Sequence, residues 1–342
     1  MAAAVLTSSI MRIKASSSAF SKSRRVRRPQ NVDGDLFVDN TCIDCDTCRW
    51  MAPVTILRNL LSKCTCFCWL RPTTNQILLQ EIFKRQDGMS AVLQQPTCHE
   101  ERTRALQALL SCPTNSIHTE QPPRDILAVH KTFPNPINED KIQGVYHCGY
   151  HSEKSYGATS YFVQRPEGNI LIDSPRYTER LASNIKKMGG VRFMFLTHKD
   201  DVADHDKWSK ELGCSRIIHS EEVCDSTADV EIKLEGNGPW TLGSDITLIH
   251  TPGHTKGSVC LLDKTRRILF TGDHLLMDEF GWSILDQYNW FSVTEQLKSV
   301  QKLVELDFEW ILPGHGRRAS FKNAQEKDTS LKAFLAARGF QG

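Results

Sequence analysis

Residues 197–205, THKDDVADH, place two histidines and three aspartates within nine positions. They follow the apolar run VRFMFL at 191–196, which is typical of a buried strand. Ionisable side chains this dense at the end of a buried strand indicate a metal site or a catalytic centre. Three further loops of similar character follow other apolar runs, namely TPGH at 251–254, TGDH at 271–274 and LPGHG at 312–316.

Each of these loops can project its ionisable side chains from a strand end into one common site. Gly253, Gly272 and Gly314 directly precede their histidine or aspartate, and glycine permits the tight turns that would aim those side chains inward. A single such residue is more often a satisfied polar group, whereas four loops in this order indicate one shared metal centre. The candidate metal ligands are His198, Asp200, Asp204, His205, His254, Asp273 and His315.

The order H…DH…H…D…H resembles that of the metallo-β-lactamase-fold hydrolases over about residues 140–320. The resemblance implies an αββα sandwich with a one- or two-metal site between two sheets. The alternating strand and helix signals beyond residue 140 agree with it, because they predict a layered α/β (α+β) fold whose strand ends meet at polar loops.

In that family the ligands are divided between two metal ions. The resemblance implies that His198 and His254 bind one metal and that Asp273 bridges the two. Asp173, in the stretch NILIDSP, matches a recurrent aspartate near the sheet end, with the implied role of orienting the loops. The residues implied for the second metal are Asp204, His205 and His315.

The first loop departs from the family pattern H-x-H-x-D-H. Two residues are inserted before the Asp204-His205 pair, and the second histidine is absent. Counting from His198 puts Asp200 in its place, with Asp201 as the alternative. A carboxylate there shifts the site towards oxygen ligands, and flavodiiron oxidoreductases of the same superfamily also carry an acidic residue at this position. Iron is therefore an alternative to zinc, which is the expected metal.

The implied chemistry follows from the charge of two divalent ions. Two metals about 3.5–4 Å apart hold a bridging hydroxide, which attacks a carbonyl or phosphoryl group polarised by one of the ions. Asp204 is the predicted catalytic residue, because it would orient that nucleophile or accept its proton. The alternative is a degenerate site that holds one metal or none.

The N-terminal part carries a second cluster of metal-ligating residues. Cys42, Cys45 and Cys48 have the C-x2-C-x2-C spacing that offers three thiolates to a cubane cluster, and Ala52 stands where a further cysteine would serve another cluster. Cys112, in a Cys-Pro pair, supplies a fourth thiolate. This arrangement resembles single-cluster bacterial-type ferredoxins and implies one 4Fe–4S cluster. A zinc knuckle is the competing interpretation.

Residues 56–81 do not fit a small ferredoxin-like domain. A connection of this length inside so small a domain is improbable. We interpret the segment as an insertion, such as untranslated sequence retained in the gene model. The alternative is a redox or second metal site formed by Cys64, Cys66 and Cys68.

The formal charge of +2 conceals a basic N-terminus. Residues 1–32 contain seven Lys or Arg, seven Ser and no acidic residue, which is typical of a transit peptide. We expect import into the chloroplast stroma, with the mitochondrion as alternative; a disordered basic tail is the competing interpretation. No apolar run approaches the ~20 residues of a membrane-spanning helix, and we expect no nucleic-acid partner. Twelve cysteines in a reducing compartment favour metal ligands and free thiols over disulfides.

The expected organisation is a ferredoxin-like domain at 33–119, a Pro-rich linker at 120–140 and a metallo-β-lactamase-like domain at 141–342. The first hypothesis for its function is a metallohydrolase of a small-molecule ester or thioester, with a ferredoxin module that docks a redox partner or senses redox state. The second is an iron-dependent oxidoreductase that receives electrons from the cluster. The third is a non-catalytic electron-transfer or binding protein.

Overall fold

The computed structural model describes residues 25–53 and 81–340. Residues 1–24, in the predicted transit peptide, lie outside the described residues. So do residues 54–80, which include most of the predicted insertion. The strands are β1 (Leu36–Val38), β2 (Phe83–Gln86), β3 (Met89–Val92), β4 (Ile117–Thr119), β5 (Asn135–Pro136), β6 (Val145–His147), β7 (Tyr161–Val163), β8 (Ile170–Ile172), β9 (Phe193–Phe195), β10 (Ser215–His219), β11 (Ile232–Leu234), β12 (Trp240–Leu242), β13 (Ile246–His250), β14 (Val259–Asp263), β15 (Ile268–Gly272), β16 (Leu276–Asp278), β17 (Gly281–Ser283), β18 (Trp310–Pro313) and β19 (Ala319–Ser320). The α-helices are α1 (Thr47–Met51), α2 (His99–Ser111), α3 (Ile126–His130), α4 (Glu179–Lys187), α5 (His205–Leu212), α6 (Val293–Val304) and α7 (Ala324–Ala337).

Two large sheets form the C-terminal part. The seven-stranded sheet has the order β11-β10-β9-β8-β7-β6-β5, with antiparallel pairs from β5 to β8 and parallel pairs from β8 to β11. The six-stranded sheet has the order β12-β13-β14-β15-β18-β19, and only the pair β15–β18 is parallel. The carboxyl ends of β8, β9, β15 and β18 therefore open into loops that can meet at one edge.

The apolar side chains of the strands alternate between two cores, since successive residues of a strand point to opposite faces. In β9, Phe195 belongs to the core between the sheets, whereas Met194 belongs to the core beneath α4 and α5. In β15, Phe270 faces the other sheet, whereas Leu269 packs beneath α6 and α7. Both faces of both sheets are covered, so the architecture is an αββα sandwich and the predicted fold class is confirmed.

The N-terminal module shares a core with the sandwich. Val38, Phe83 and Ala108 lie in the same buried cluster as Phe133 and as Leu171 of β8. The segment expected to be a linker contains α3 and β5, and β5 extends the seven-stranded sheet as its edge strand. Its prolines permit these roles because an edge strand leaves some backbone groups unpaired. The described residues include no helix that is both long and apolar enough to span a bilayer.

The folded part begins earlier than the predicted end of the leader at residue 32. Arg28 is buried and its guanidinium donates to the backbone oxygens of Gln86 and Ser90. Arg25 donates to the Thr114 oxygen at 3.0 Å and pairs with Asp39 at 3.2 Å. Arg25 and Arg28 therefore contact the ferredoxin-like module, while the transit peptide at residues 1–32 stays a prediction. The positive charges are engaged by backbone carbonyls, which composition alone does not reveal.

The shared core makes a prediction for unfolding. Phe133 is 1% exposed and packs edge-on against Tyr150 and His147. We expect Phe133→Ala to lower the free energy of unfolding by about 3–5 kcal/mol. Because the core is common to both modules, the iron–sulfur absorbance and the tryptophan fluorescence should be lost in one urea transition. Phe280→Ala, at an 86% exposed side chain, is the control and should change stability by less than about 0.5 kcal/mol. Two separate transitions would contradict the common core.

Candidate functional site

The candidate ligands lie in loops that leave the ends of four strands. His198 follows β9, His254 follows β13, Asp273 follows β15 and His315 follows β18. The loops are packed tightly: Gly272 has a φ of 49°, and a Cβ there would lie 2.5 Å from the Thr197 hydroxyl oxygen. Only glycine combines that conformation with that approach. The first and third ligand loops are thus in direct contact.

Four side-chain atoms face one another at the centre of these loops. The Nε2 of His254 lies 3.6 Å from Asp200 Oδ2 and 3.7 Å from Asp273 Oδ2. The Nε2 of His198 lies 4.0 Å and 3.8 Å from the same two oxygens. A tetrahedral zinc site with ligand distances of about 2.1 Å has edges of about 3.4 Å. These four distances are slightly longer than such edges, and the ligand atoms of His198, Asp200 and His254 all lie within 4.8 Å of one another.

A second group of ligand atoms shares two members of the first. Asp201 joins His198 and Asp273 in a set whose atoms all lie within 4.8 Å of one another. Asp201 is 1% exposed, and burial, together with the nearby charges of Asp273, Asp173 and Asp200, raises the pKa of its carboxyl well above the usual range. The sequence left Asp200 and Asp201 as alternatives, and the structure brings both to the centre.

The chemistry of the centre fits a bound cation. Within the described residues, several of its buried atoms have no hydrogen-bond partner: His198 Nε2, both His254 nitrogens, Asp200 Oδ2 and both Asp201 oxygens. A buried polar atom left in this state costs about 1–3 kcal/mol, and more if it is charged. Imidazole nitrogens and carboxylate oxygens are ligands of zinc and of iron. A divalent ion would satisfy these atoms and balance the carboxylate charge.

The tautomer of His198 is set by its neighbours. Asp173 Oδ1 accepts from the Thr197 amide at 2.8 Å and from the Thr197 hydroxyl at 3.0 Å. The same hydroxyl oxygen lies 3.0 Å from His198 Nδ1, so it accepts the Nδ1 proton. This leaves the Nε2 lone pair free to face the centre. Asp173 thus occupies the supporting position that the resemblance implied.

His315 lies behind Asp273 and outside the group of four atoms. Its Nδ1 donates to Asp273 Oδ1 at 2.7 Å. The loop is held at the site by the Gly314 amide, which donates to Gly272 O at 2.8 Å. In this structure His315 orients Asp273, whereas the sequence predicted it as a ligand of the second metal.

The structure places Asp204 and His205, both predicted as metal ligands, in contact with other partners. Asp204 accepts from Lys154 Nζ at 2.8 Å and from the Tyr177 amide at 2.9 Å. His205 Nε2 donates to the Ser226 oxygen at 2.9 Å, and its Nδ1 lies 3.1 Å from an Arg216 guanidinium nitrogen. Both side chains are therefore engaged away from the centre. The physical reason is the two-residue insertion, which forms a 3-10 helix over Lys199–Asp201 and carries the Asp-His pair onto the start of α5.

Sequence reasoning missed a residue that holds two ligand loops together. Glu222 is fully buried and accepts from the Lys199 amide at 3.0 Å and from the Gly257 amide at 2.6 Å. These amides belong to the loops of His198 and His254. No spacing marks Glu222 in the stretch SEEVCD, because its role depends on two loops that are distant along the chain.

The four predicted cluster cysteines line one cavity in the N-terminal module. Backbone amides point at two of their sulfurs: Ser90 N lies 3.4 Å from Cys42 Sγ and Ser116 N lies 3.2 Å from Cys112 Sγ. Four thiols with amide donors around them fit a 4Fe–4S cluster. Cys64, Cys66 and Cys68 lie outside the described residues. The residues around the cavity are Val38, Cys42, Ile43, Cys45, Thr47, Cys48, Ser90, Cys112, Thr114, Ser116 and Ile117.

Two known families match the chain. Residues 197–315 match the model of the metallo-beta-lactamase superfamily, and residues 76–119 match that of the 4Fe-4S single cluster domain of ferredoxin I. The second match includes Cys112 and begins after the first three cysteines. These matches confirm both resemblances inferred from the sequence, for residues 197–315 and 76–119 respectively.

Several individual proteins are similar to parts of the chain. The acyl-coenzyme A thioesterases MBLAC2 of Bos taurus and Homo sapiens are each 36% identical over 74 residues, which is 20% of this chain and 25% of theirs. The chain thus spans about a quarter of the length of these relatives. The lactamase-like protein aptB of Emericella nidulans is 24% identical over 167 residues, which is 47% of this chain and 51% of that protein.

Solved structures similar to the chain include two metallo-β-lactamase family members. The BLEG-1 B3 metallo-beta-lactamase is 18% identical, with a TM-score of 0.43, over 52% of this chain and 93% of that one. The family protein TTHA1429 from Thermus thermophilus is 15% identical, with a TM-score of 0.44, over 57% of this chain and 79% of that one.

Two matched substitutions in one loop test whether Asp200 or Asp204 binds the metal. We expect Asp200→Asn to weaken zinc binding at least about tenfold, because even groups that only support a ligand are worth that much. Asp204→Asn keeps an acceptor for the Tyr177 amide and should leave zinc binding unchanged. Zinc titration of the metal-stripped centre, with the cluster intact, measures both. Weak binding in Asp204→Asn with normal binding in Asp200→Asn would restore the original assignment.

The cluster assignment is tested with two cysteines of one segment. Cys112→Ser should remove most of the iron and acid-labile sulfide, because a 4Fe–4S cluster needs its fourth thiolate. Cys98 is an exposed free cysteine, and Cys98→Ser should leave both contents unchanged. The measurement is iron and sulfide per chain after anaerobic purification. A Cys112→Ser protein with full sulfide would remove Cys112 from the ligand set.

Proposed function

We propose that the C-terminal domain is a metal-dependent hydrolase of small acyl esters or thioesters, fused to a module that binds one 4Fe–4S cluster. The observation that carries this proposal is the group of unpaired imidazole and carboxylate atoms buried at the strand ends. The thioesterase name of two relatives supports the bond type. We further propose the chloroplast stroma as its location, with the mitochondrion as alternative, on the composition of residues 1–32.

Four residues would hold the metal. His198 and His254 would contribute their Nε2 atoms, and Asp200 and Asp273 their Oδ2 atoms. A bound divalent ion supplies Lewis acidity towards an acyl oxygen and makes water more acidic. His315 holds Asp273 in place through its Nδ1 proton, so the carboxylate keeps the orientation that faces both histidines.

Asp201 takes the proton-handling role that the sequence assigned to Asp204. Both of its carboxylate oxygens lack hydrogen-bond partners among the described residues, whereas both oxygens of Asp204 are occupied. It lies against the centre: a Cβ on Gly314 would be 3.0 Å from Asp201 Oδ2 and 2.9 Å from Asp273 Oδ1. A carboxylate in this position can accept a proton from the attacking water and return it to the leaving group.

An apolar acyl group has a surface available beside the centre. The Trp290 amide donates to the backbone oxygen of His254 at 2.8 Å, and Asn289 Nδ2 donates to Gly253 O at 2.9 Å. Residues 289–290 are thereby hydrogen-bonded to the loop that carries His254. Trp290 and Phe291 are 65% and 46% exposed, which is unusual for side chains of this size. We assign them to contact with the acyl portion of the substrate.

The decisive experiment compares Asp201→Asn with Asp204→Asn on a panel of acyl thioesters and oxygen esters. Removal of a general base costs typically 10²–10⁴-fold, so we expect kcat of Asp201→Asn to fall by about a hundredfold or more with metal still bound. Asp204→Asn should retain hydrolysis. Full activity in Asp201→Asn would refute the role of this residue. Hydrolysis that survives His254→Ala or removal of the metal would refute the proposed function itself.

Zinc and iron are both candidate metals, because two histidines and two carboxylates can bind either ion. One observation favours the redox alternative: the iron–sulfur module directly contacts residues beside the loops of the metal centre. Anaerobic purification with metal and sulfide counts separates the two cases. Zinc together with thioester hydrolysis supports the hydrolase, whereas iron beyond the four atoms of one cluster supports an oxidoreductase.

A further inference from the structure

A six-residue segment lies between the cluster cavity and the metal centre. This segment, residues 152–157 with the sequence SEKSYG, is called the strap below. It is held by its own hydrogen bonds: the Lys154 amide donates to Ser152 Oγ at 3.2 Å, and the Gly157 amide donates to Ser152 O at 2.8 Å. The Tyr156 amide donates to Glu153 O at 3.1 Å. The strap therefore moves as one rigid turn.

One end of the strap forms a wall of the cluster cavity. Gly157 has a φ of 91°, and a Cβ at this position would lie 3.1 Å from Cys45 Cβ, 3.2 Å from Pro113 Cγ and 3.6 Å from Cys45 Sγ. Only a residue without a side chain allows the backbone to come this close to a cluster ligand. The backbone of the strap is therefore in direct contact with Cys45.

A buried histidine pair fastens the same end. His151 Nδ1 lies 2.8 Å from Gly157 O and 3.2 Å from Thr47 Oγ1, and His151 Nε2 lies 2.8 Å from His147 Nε2. Burial lowers the pKa of His151 to about 3 and that of His147 well below the usual range, so both rings are neutral. The Nδ1 proton must then point to the carbonyl. Thr47 Oγ1 in turn accepts from the Cys45 thiol at 3.4 Å.

The other side of the strap, with the residues just after it, contacts two loops of the metal centre. Just after the strap, the Thr159 amide donates to Gly314 O at 2.6 Å, beside His315, which holds Asp273. Ser155 Oγ accepts from the Ala203 amide at 3.1 Å. Lys154 forms the ion pair with Asp204. The fourth ligand loop and the end of the first loop are thus attached to the strap or to the residues just after it.

A second contact joins the same two places outside the strap. Arg317 Nε donates to Asp46 Oδ2 at 2.9 Å. Asp46 is the residue after Cys45, and Arg317 is two residues after His315. The cluster loop and the fourth ligand loop are therefore connected both through Gly157 and through this ion pair.

We propose that the strap couples the two centres, so that the redox state of the cluster changes the affinity of the metal centre for its ion. Gly157 and His151 are positioning residues in this coupling. It rests on the proposed function only in requiring both centres to be loaded. One-electron reduction of the cluster by an external donor adds one negative charge beside the strap and forms or breaks no bond. That charge favours a cation at the metal centre, and by linkage a bound cation must favour the reduced cluster equally.

The test measures the cluster's midpoint potential in the full chain with and without zinc at the metal centre. The cluster is titrated with dithionite and followed by electron paramagnetic resonance. We expect zinc to raise the potential, and a tenfold coupling corresponds to about 59 mV for one electron. In the reciprocal measurement, zinc should bind the dithionite-reduced protein more tightly by the same factor. A potential that zinc leaves unchanged would overturn the proposal.

Matched glycine variants test the route of the coupling. Gly157→Ala places a methyl group against Cys45 and Pro113, whereas Gly190→Ala meets open space at a similar left-handed φ of 67°. We expect Gly157→Ala to reduce the zinc-induced shift to the part that charge alone carries, and Gly190→Ala to keep it in full. If Gly157→Ala loses its cluster, Asp46→Asn is measured instead and should reduce the shift. A zinc-induced shift of full size in Gly157→Ala, or in Asp46→Asn where that variant replaces it, would overturn the role of these contacts.

These readouts separate the coupling from the hydrolase proposal. The potential and the zinc affinity do not depend on any substrate. Absence of thioester hydrolysis with an intact zinc-induced shift would refute the proposed function alone. Hydrolysis with no shift would refute the coupling alone.

Discussion

The structure depends on keeping three carboxylates close together, with Asp201 and Asp273 buried and Asp200 partly buried. Such a group is costly unless a cation or proton neutralises it. The sandwich makes the arrangement by ending several strands at one edge, and His198 and His254 complete it with nitrogens whose lone pairs face inward. The groups behind the ligands, such as the Thr197 hydroxyl and the His315 Nδ1, donate their protons to carboxylates. The ligand atoms of the two histidines and of Asp200 that face the centre stay without hydrogen-bond partners among the described residues.

The second constraint is that the ferredoxin module is not an independent appendage. Its helices and hairpin share one buried core with the outer face of the seven-stranded sheet, and its cluster loop touches the loops of the metal centre. Arg318 lies over the ring of Trp50 at 4.5 Å, and Arg317 pairs with Asp46. The basic pair after the last ligand loop therefore binds the module. This proximity is the physical basis for coupling between the two centres.

The first ligand loop shows how a small insertion redistributes roles. Two extra residues form a turn of 3-10 helix, which brings Asp200 and Asp201 to the centre and moves Asp204 and His205 to the start of α5. There His205 contacts Arg216 and a backbone oxygen instead of a metal. The motif remains recognisable along the chain, although its last two members now have structural roles.

The sequence by itself determined the layered α/β class, the four loops and the cluster cysteines through strand periodicity and local spacing. The αββα sandwich and the ligand roles of His198, His254 and Asp273 came from the resemblance to the metallo-β-lactamase fold. The sequence did not determine that Asp204 and His205 turn away, that Glu222 joins two loops, or that Arg25 and Arg28 contact the ferredoxin-like module. Those outcomes depend on contacts between segments far apart in the chain. Only tertiary structure decides them, since hydrogen-bond partners are chosen by where the packed strands end.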